Sequence, residues 1–245
     1  MTKQWIVALL MMASSAFAIE VHKENRDNGL YIIDGDIPLL HQDQRFDFVE
    51  FDNEDKLIVS ASHENVYDVW SDEERFNLSY CVSDEFAHNK DLIVAAFEEA
   101  TRDWMEAANV RFVYRPEYDS NCNEYNNNVV FDIQPAYGER YLARAFFPNY
   151  PRKYRSVLVN DSSFRYENSA MTGFIRHELG HVLGFRHEHI HQESAHLCDE
   201  DNKFKPVTDY DKDSVMHYPH CGGTNDIRDM VLSPTDIEGA RIVYP

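Results

Sequence analysis

One run constrains this chain more than any other: His177-Glu178-Leu179-Gly180-His181-Val182-Leu183-Gly184-Phe185-Arg186-His187-Glu188. It reads H-E-x-x-H-x-x-G-x-x-H. Residues four apart on a helix project from one face, one turn above the other, so His177 and His181 can grip a single metal ion. Glu178 sits beside the first of them, where it can take a proton from water activated by that metal. A third ligand must leave the helical ladder. Gly184 supplies the break, because glycine readily adopts the left-handed conformation that ends a helix. His187 can then approach the metal from another side. Three protein ligands and one open position describe a catalytic zinc site, whereas structural sites are closed by four. Ordinary helix-face histidines are the competing reading, and five chemically apt positions in register weigh against it.

The 245 residues fit one substantial domain with room for an appended segment. Hydrophobic residues make up 43% and aromatics 13%, which supplies a proper core and excludes a disordered chain. A formal net charge of −20 argues against nucleic-acid and anionic-membrane partners, since nothing basic is available to neutralise phosphates.

The first 18 residues read as a signal peptide. Lys3 gives a positive start, Trp5 to Met12 an apolar run, and Ala16-Phe17-Ala18 a small-x-small cleavage site. That run is too short to span a bilayer, and no later segment approaches twenty apolar residues. An uncleaved membrane anchor is the rival. The expected localisation is therefore secreted or periplasmic, with no membrane span after signal removal. Export also suits the four cysteines. Cys81, Cys122, Cys198 and Cys221 allow three pairings, of which sequence proximity favours Cys81–Cys122 and Cys198–Cys221. No C-x-x-C spacing supports a cysteine zinc site.

Residues 19–74 carry roughly −12 of the net charge and show little periodicity, which marks a propeptide or N-terminal extension. The catalytic domain is expected over 75–245. Arg75 to Val82 alternates like a strand. From Asp91, Ile93, Phe97, Ala100, Trp104 and Ala108 recur at helical spacing. Val110–Tyr114, Val129–Ile133, Tyr141–Phe147 and Ser156–Val159 read as strands. Glu167–Gly184 is the helix that carries the metal motif. A last helix starts at Ser233, where a cap is followed by proline at the first helical position.

A second motif, Ser214-Val215-Met216-His217-Tyr218, lies about thirty residues beyond the first. Together the two resemble the metzincin clan of zinc peptidases, and within it most closely the astacin family. Astacins place Glu directly after the third His, as Glu188 stands here. They also carry Tyr-Asp-x-x-Ser-x-Met-His-Tyr, matched by Tyr210, Asp211, Ser214, Met216, His217 and Tyr218. The resemblance implies an α+β fold: a metzincin-like catalytic domain with a twisted mixed sheet, an active-site helix and a C-terminal helix. It implies one catalytic Zn2+ held by His177, His181 and His187, with Met216 as an apolar floor. Tyr218 would be a swinging ligand that donates to the oxyanion, and Glu188 an anchor for the mature N-terminus. An extended peptide would pair along Tyr141–Phe147.

Tyr31 to Ile37 is similar to the Phe-x-Gly-Asp element of astacin propeptides, with Ile33 where the aromatic stands. By that resemblance Asp36 covers the zinc and keeps a zymogen silent. The chain departs from the family after the zinc motif, where His189-Ile190-His191-Gln192-Glu193 replaces an Arg-Pro stretch. His189, His191, His196, His217 and His220 read as surface residues or neighbours of the zinc ligands rather than a further metal site. Asp209 to Asp213 opens like a calcium loop but lacks the required Gly and Glu, which rejects an EF-hand. Two functions stand against each other. One is a zinc endopeptidase acting on peptide or protein substrates, with Glu178 and Tyr218 catalytic. The other is a zinc-bearing binding or adhesion protein without turnover. Glu178 favours the first, since binding alone does not require it.

Overall fold

The computed structural model describes residues 21–26, 30–33, 35–39, 58–60, 68–190, 198, 204–226 and 228–245. The signal peptide expected at 1–18, and His191 and His196, lie outside them. Three short strands come first. β1 (Val21–Lys23), β2 (Tyr31–Ile33) and β3 (Ile37–Leu39) form an antiparallel sheet in that order. β4 (Ile58–Ser60) pairs antiparallel with β10 (Phe204–Pro206), far along the chain. Strands of three residues are too short to register as periodicity, which is why 19–74 reads as featureless in sequence.

The main sheet contains β5 (Leu78–Val82), β6 (Phe112–Tyr114), β7 (Phe131–Ala136), β8 (Ala143–Arg144) and β9 (Ser156–Asn160). Its order is β6-β5-β7-β9-β8, parallel except for β8, which runs antiparallel to β9 at the edge. The sheet is thus mixed, as expected. Every residue of β5 and β9 is buried, so both faces are covered. Val157 and Val159 of β9 join the main core, whereas Leu158 faces the other way and packs with Ala136, Tyr141 and Ile32 of β2. The N-terminal sheet thereby helps cover the outer face.

Two helices fill the inner face. α1 (Lys90–Ala107) buries Ile93, Phe97, Ala100 and Trp104, the apolar stripe seen in the sequence. α2 (Asn168–Val182) is buried on all sides from Ala170 onward, as befits a central helix. Trp104 joins them: its indole donates to the Arg176 carbonyl at 2.8 Å and its ring stacks on Phe185 at 5.5 Å. Truncating so buried a tryptophan costs about 3–5 kcal/mol. α3 (Pro234–Val243) starts at the predicted cap, where Ser233 and Asp236 satisfy each other's backbone N–H groups.

The disulfides are Cys81–Cys122 and Cys198–Cys221, the proximity pairing. Several expected elements are narrowed: Val110–Tyr114 contracts to Phe112–Tyr114 and Glu167–Gly184 to Asn168–Val182. The strand expected at Tyr141–Phe147 contracts to β8, the two residues that pair with β9, and beyond them Ala145, Phe146 and Phe147 leave the ladder and pack into the main core. Arg75 lies in a short 3-10 turn (Glu74–Phe76), and the strand begins only at Leu78. No helix among the described residues is long and apolar enough to cross a membrane.

Candidate metal centre

His177 and His181 stand one turn apart on the last turns of α2 and face the same side, with ring centroids 4.9 Å apart. The helix ends at Val182, and Gly184 takes φ +96°. A Cβ there would lie 2.2 Å from the Asp68 carbonyl oxygen, so the turn admits only glycine. The chain reverses and delivers His187 beside the other two. Its Nε2 lies 3.2 Å from Nε2 of His181 and 3.2 Å from Nε2 of His177.

The protonation of these rings can be read from their other nitrogens. His177 Nδ1 meets the Val215 carbonyl at 2.8 Å, and His181 Nδ1 meets the Phe185 carbonyl at 2.7 Å. A carbonyl only accepts, so each Nδ1 carries a proton and each ring turns its Nε2 inward. Burial and the neighbouring His187 hold the His181 pKa well below its ordinary value, which favours the neutral ring. Three buried imidazole Nε2 atoms converging on one point suit a cation there, to which neutral rings would donate.

Asp36 supplies a fourth corner. Its carboxylate oxygens lie 3.1 Å from His187 Nε2, 3.4 Å from His177 Nε2 and 3.7 Å from His181 Nε2. A tetrahedron with metal–ligand bonds of ~2.0–2.1 Å has edges of about 3.3–3.4 Å, and these spacings scatter around that length. Asp36 Oδ1 is buried with no hydrogen-bond partner, as a ligand atom would be. The donor set therefore fits zinc. Burial pushes the Asp36 carboxyl up, but His187, His177 and His181 outweigh it and hold the pKa well below the carboxylate range.

Beneath the histidines lies Met216, buried to 1% exposure. A Cβ on Gly180 would sit 2.3 Å from its sulfur, so this glycine lets the turn press against α2. The turn is fixed from behind. Asp236 of α3 accepts from Ser214 Oγ at 2.6 Å and from the Val215 N–H at 2.8 Å, and Glu188 N–H donates to the Met216 carbonyl at 3.0 Å. Glu188 Oε1 also accepts from the Asp211 N–H at 2.7 Å.

Tyr218 stacks on His177 with centroids 5.3 Å apart, and its hydroxyl donates to Asp36. Glu178 is 3% exposed and lines a cleft of about 330 Å³ with His177, Tyr218 and the 140–143 segment. Burial, then the charge of Asp36, pushes the Glu178 pKa well above its ordinary value. The structure thus brings His177, His181, His187, Glu178, Met216, Tyr218 and Asp36 together. His189 and His217 are fully buried neighbours of the site: His189 stacks on His187 and Tyr218, and His217 meets Tyr210 Oη at 2.9 Å. His220 lies close to Cys198 and Cys221, whose sulfurs are committed to each other.

Some residues around the site carried no signal in the sequence. Trp70 donates to the Val182 carbonyl at 2.8 Å and clamps the end of α2. Glu24 and Arg144 form a buried ion pair from residues 120 positions apart. Neither belongs to a motif, and only the fold brings them into place.

A mixed sheet, a buried helix ending in three convergent histidines and a methionine turn beneath them define the class of metzincin zinc peptidases. Within that class the chain belongs to the matrixin family, the peptidase M10 group, whose model matches residues 69–218. The resemblance read from the sequence, to the metzincins and closest to the astacins, is borne out. A curated relative, bone morphogenetic protein 1 of Xenopus laevis, is 29% identical over 183 residues, which is 67% of this chain but 23% of that protein. The chain therefore spans less than a quarter of this relative's length. Two solved structures of myroilysin share the fold. One has a TM-score of 0.52 at 15% identity and covers 77% of this chain and 98% of its own; the other has 0.50 at 13%, with 72% and 86%.

Proposed function

We propose that this chain is an exported zinc endopeptidase held silent by its own N-terminal segment. The observation that carries the reading is the convergence of three histidine Nε2 atoms at tetrahedral spacing beside the buried Glu178. His177, His181 and His187 hold one zinc, which when bound lowers the pKa of water and polarises a carbonyl. Everything else falls to the chain's own groups. Glu178 accepts the proton of the attacking water and passes it to the leaving amine. Burial, the largest cause of its raised pKa, favours its holding the proton between the two steps. Tyr218, freed from Asp36, offers its hydroxyl to the developing oxyanion. A peptide lies along β8, the edge of the sheet, and pairs through its main chain. Disulfides and the N-terminal apolar run support export.

Residues 19–74 act as the propeptide. Asp36, 3.1 Å from His187 Nε2, would be a further ligand to the zinc, and it holds Tyr218 by its hydroxyl. Gly35, at φ +90°, makes the approach possible, because a Cβ there would meet Tyr218 Oη at 3.2 Å. The test is Glu178→Gln in the full chain that also carries Asp36→Ala, which opens the cleft. Zinc content by elemental analysis should match that of the Asp36→Ala parent, while hydrolysis of a peptide library falls at least a thousandfold and chelator abolishes the parent's reaction. Persistent cleavage by this variant would exclude Glu178 as the base.

A further inference from the structure

On the outer face of the sheet lies a built carboxylate site that the chemistry above does not use. Arg144 is 1% exposed. Its Nε donates to Glu24 Oε1 at 2.8 Å and its Nη2 to Glu24 Oε2 at 3.0 Å, a bidentate fork. Tyr141 Oη adds a third bond to Glu24 Oε1 at 2.7 Å. Nη1 donates to the Ser156 carbonyl at 2.7 Å, so the fork is aimed by the sheet itself and not by its ligand. Glu24 comes from the N-terminal segment that the reading above removes. Its departure leaves a permanently charged guanidinium in a pocket shaped for a carboxylate.

We propose that Arg144 and Tyr141 form a specificity subsite for an acidic substrate side chain, filled by Glu24 in the full-length chain and by the substrate once the N-terminal segment has left. The inference rests on the endopeptidase reading. Register supports the geometry. Arg144 pairs with Leu158, whose side chain faces outward with Tyr141, Ala136 and Ile32, while Val157 and Val159 face the core. Arg144 therefore lies on the outer face of a strand that, among the described residues, pairs only with β9. A peptide added antiparallel to β8 places the residue opposite Arg144 on that same face, at cross-strand contact distance. The neighbouring residues Arg140 to Ala143 line the cleft with His177 and Glu178, so this position lies within a few residues of the scissile bond. Glu139 is the other carboxylate beside Glu24; it accepts from the Asn25 N–H at 2.9 Å and flanks the same pocket.

The experiment uses the full-length chain with Asp36→Ala and Glu24→Gln, which removes both carboxylates that hold the segment on the cleft. Peptide pairs differing only by Glu or Gln at each position around the scissile bond are compared by kcat/KM. At one position Glu is favoured by about tenfold to a hundredfold, the range charge-assisted hydrogen bonds carry. Adding Arg144→Met brings that ratio to about one, and adding Tyr141→Phe, the gentler change, reduces it severalfold. Equal cleavage of Glu and Gln peptides at every position overturns the subsite while leaving the peptidase intact, and so does a preference that survives both substitutions. Failure to cut any peptide, Glu or Gln, with zinc bound overturns the underlying reading, and the subsite with it.

Discussion

Asp68 shows how one carboxyl can depend on the turn that brings His187 to the other two histidines. Its carbonyl oxygen fills the space a side chain at Gly184 would need, and its Oδ1 accepts from the Asn149 N–H at 2.8 Å. Oδ2 is buried with no hydrogen-bond partner. Burial pushes the pKa up to about 7, against the Asn149 hydrogen bond and the charges of Arg155 and Arg186. The folded protein therefore keeps a proton that the unfolded chain releases near pH 4. Stability contributed by this group is full below pH 4, declines as pH rises from about 4 to 7, and is level beyond. Asp68→Asn should remove the decline. We expect it to stabilise the protein by about 1–2 kcal/mol at pH 8 and by almost nothing at pH 4, read from denaturant midpoints at the two pH values. A gain of equal size at both would show that Asp68 does not titrate between them.

Among the elements, α2 and the methionine turn behave as one unit, because Gly180 leaves just enough room for Met216. Gly180→Ala drives a methyl group against that sulfur and against Trp104, which lies 3.3 Å from the same point. Overpacking of this kind costs typically 1–3 kcal/mol, and Ala's better helix propensity offsets under 1 of it. The expected result is a lower midpoint of thermal unfolding and weaker zinc retention in a chelator titration; unchanged retention would uncouple the turn from the ligands. These elements were the most legible part of the chain. The metal motif is local: spacing on one helix and one glycine state most of it. α1 declared itself by the stripe from Ile93 to Trp104, and α3 by its Ser-Pro cap. β8 was legible only as part of a longer strand, Tyr141–Phe147, and the partner of Arg144 was not, because Arg144 reads as any exposed arginine until Glu24 is folded against it. Asp36 was visible only through resemblance, since Gly-Asp is a common turn pair and nothing local says which metal it meets. What joins distant segments without a repeat or a periodic face leaves no trace in single-sequence patterns.

For the molecule as a whole, the N-terminal sheet straddles the edge of the main sheet. On one side Ile32 and Glu24 cover the outer face. On the other, Ile33, Ile37 and Leu39 join the main core, and Tyr150 Oη donates to the Pro38 carbonyl. Asp36, between them, reaches the histidines. Asp36→Ala should therefore speed peptide hydrolysis by the uncut chain by at least tenfold without adding zinc, followed with a fluorogenic peptide. Unchanged activity would separate Asp36 from inhibition.

The straddling sheet is continuous in chain with the domain it covers, and that continuity has its own arithmetic. A tethered occupant faces its site at an effective concentration in the millimolar range, whatever the protein concentration. Each contact at Asp36, Glu24 and the apolar strands can thus be individually weak and still keep the cleft filled. A single break in the connecting chain between Leu39 and Asp68 changes none of those contacts. It turns an intramolecular equilibrium into a bimolecular one, and dilution then empties the cleft.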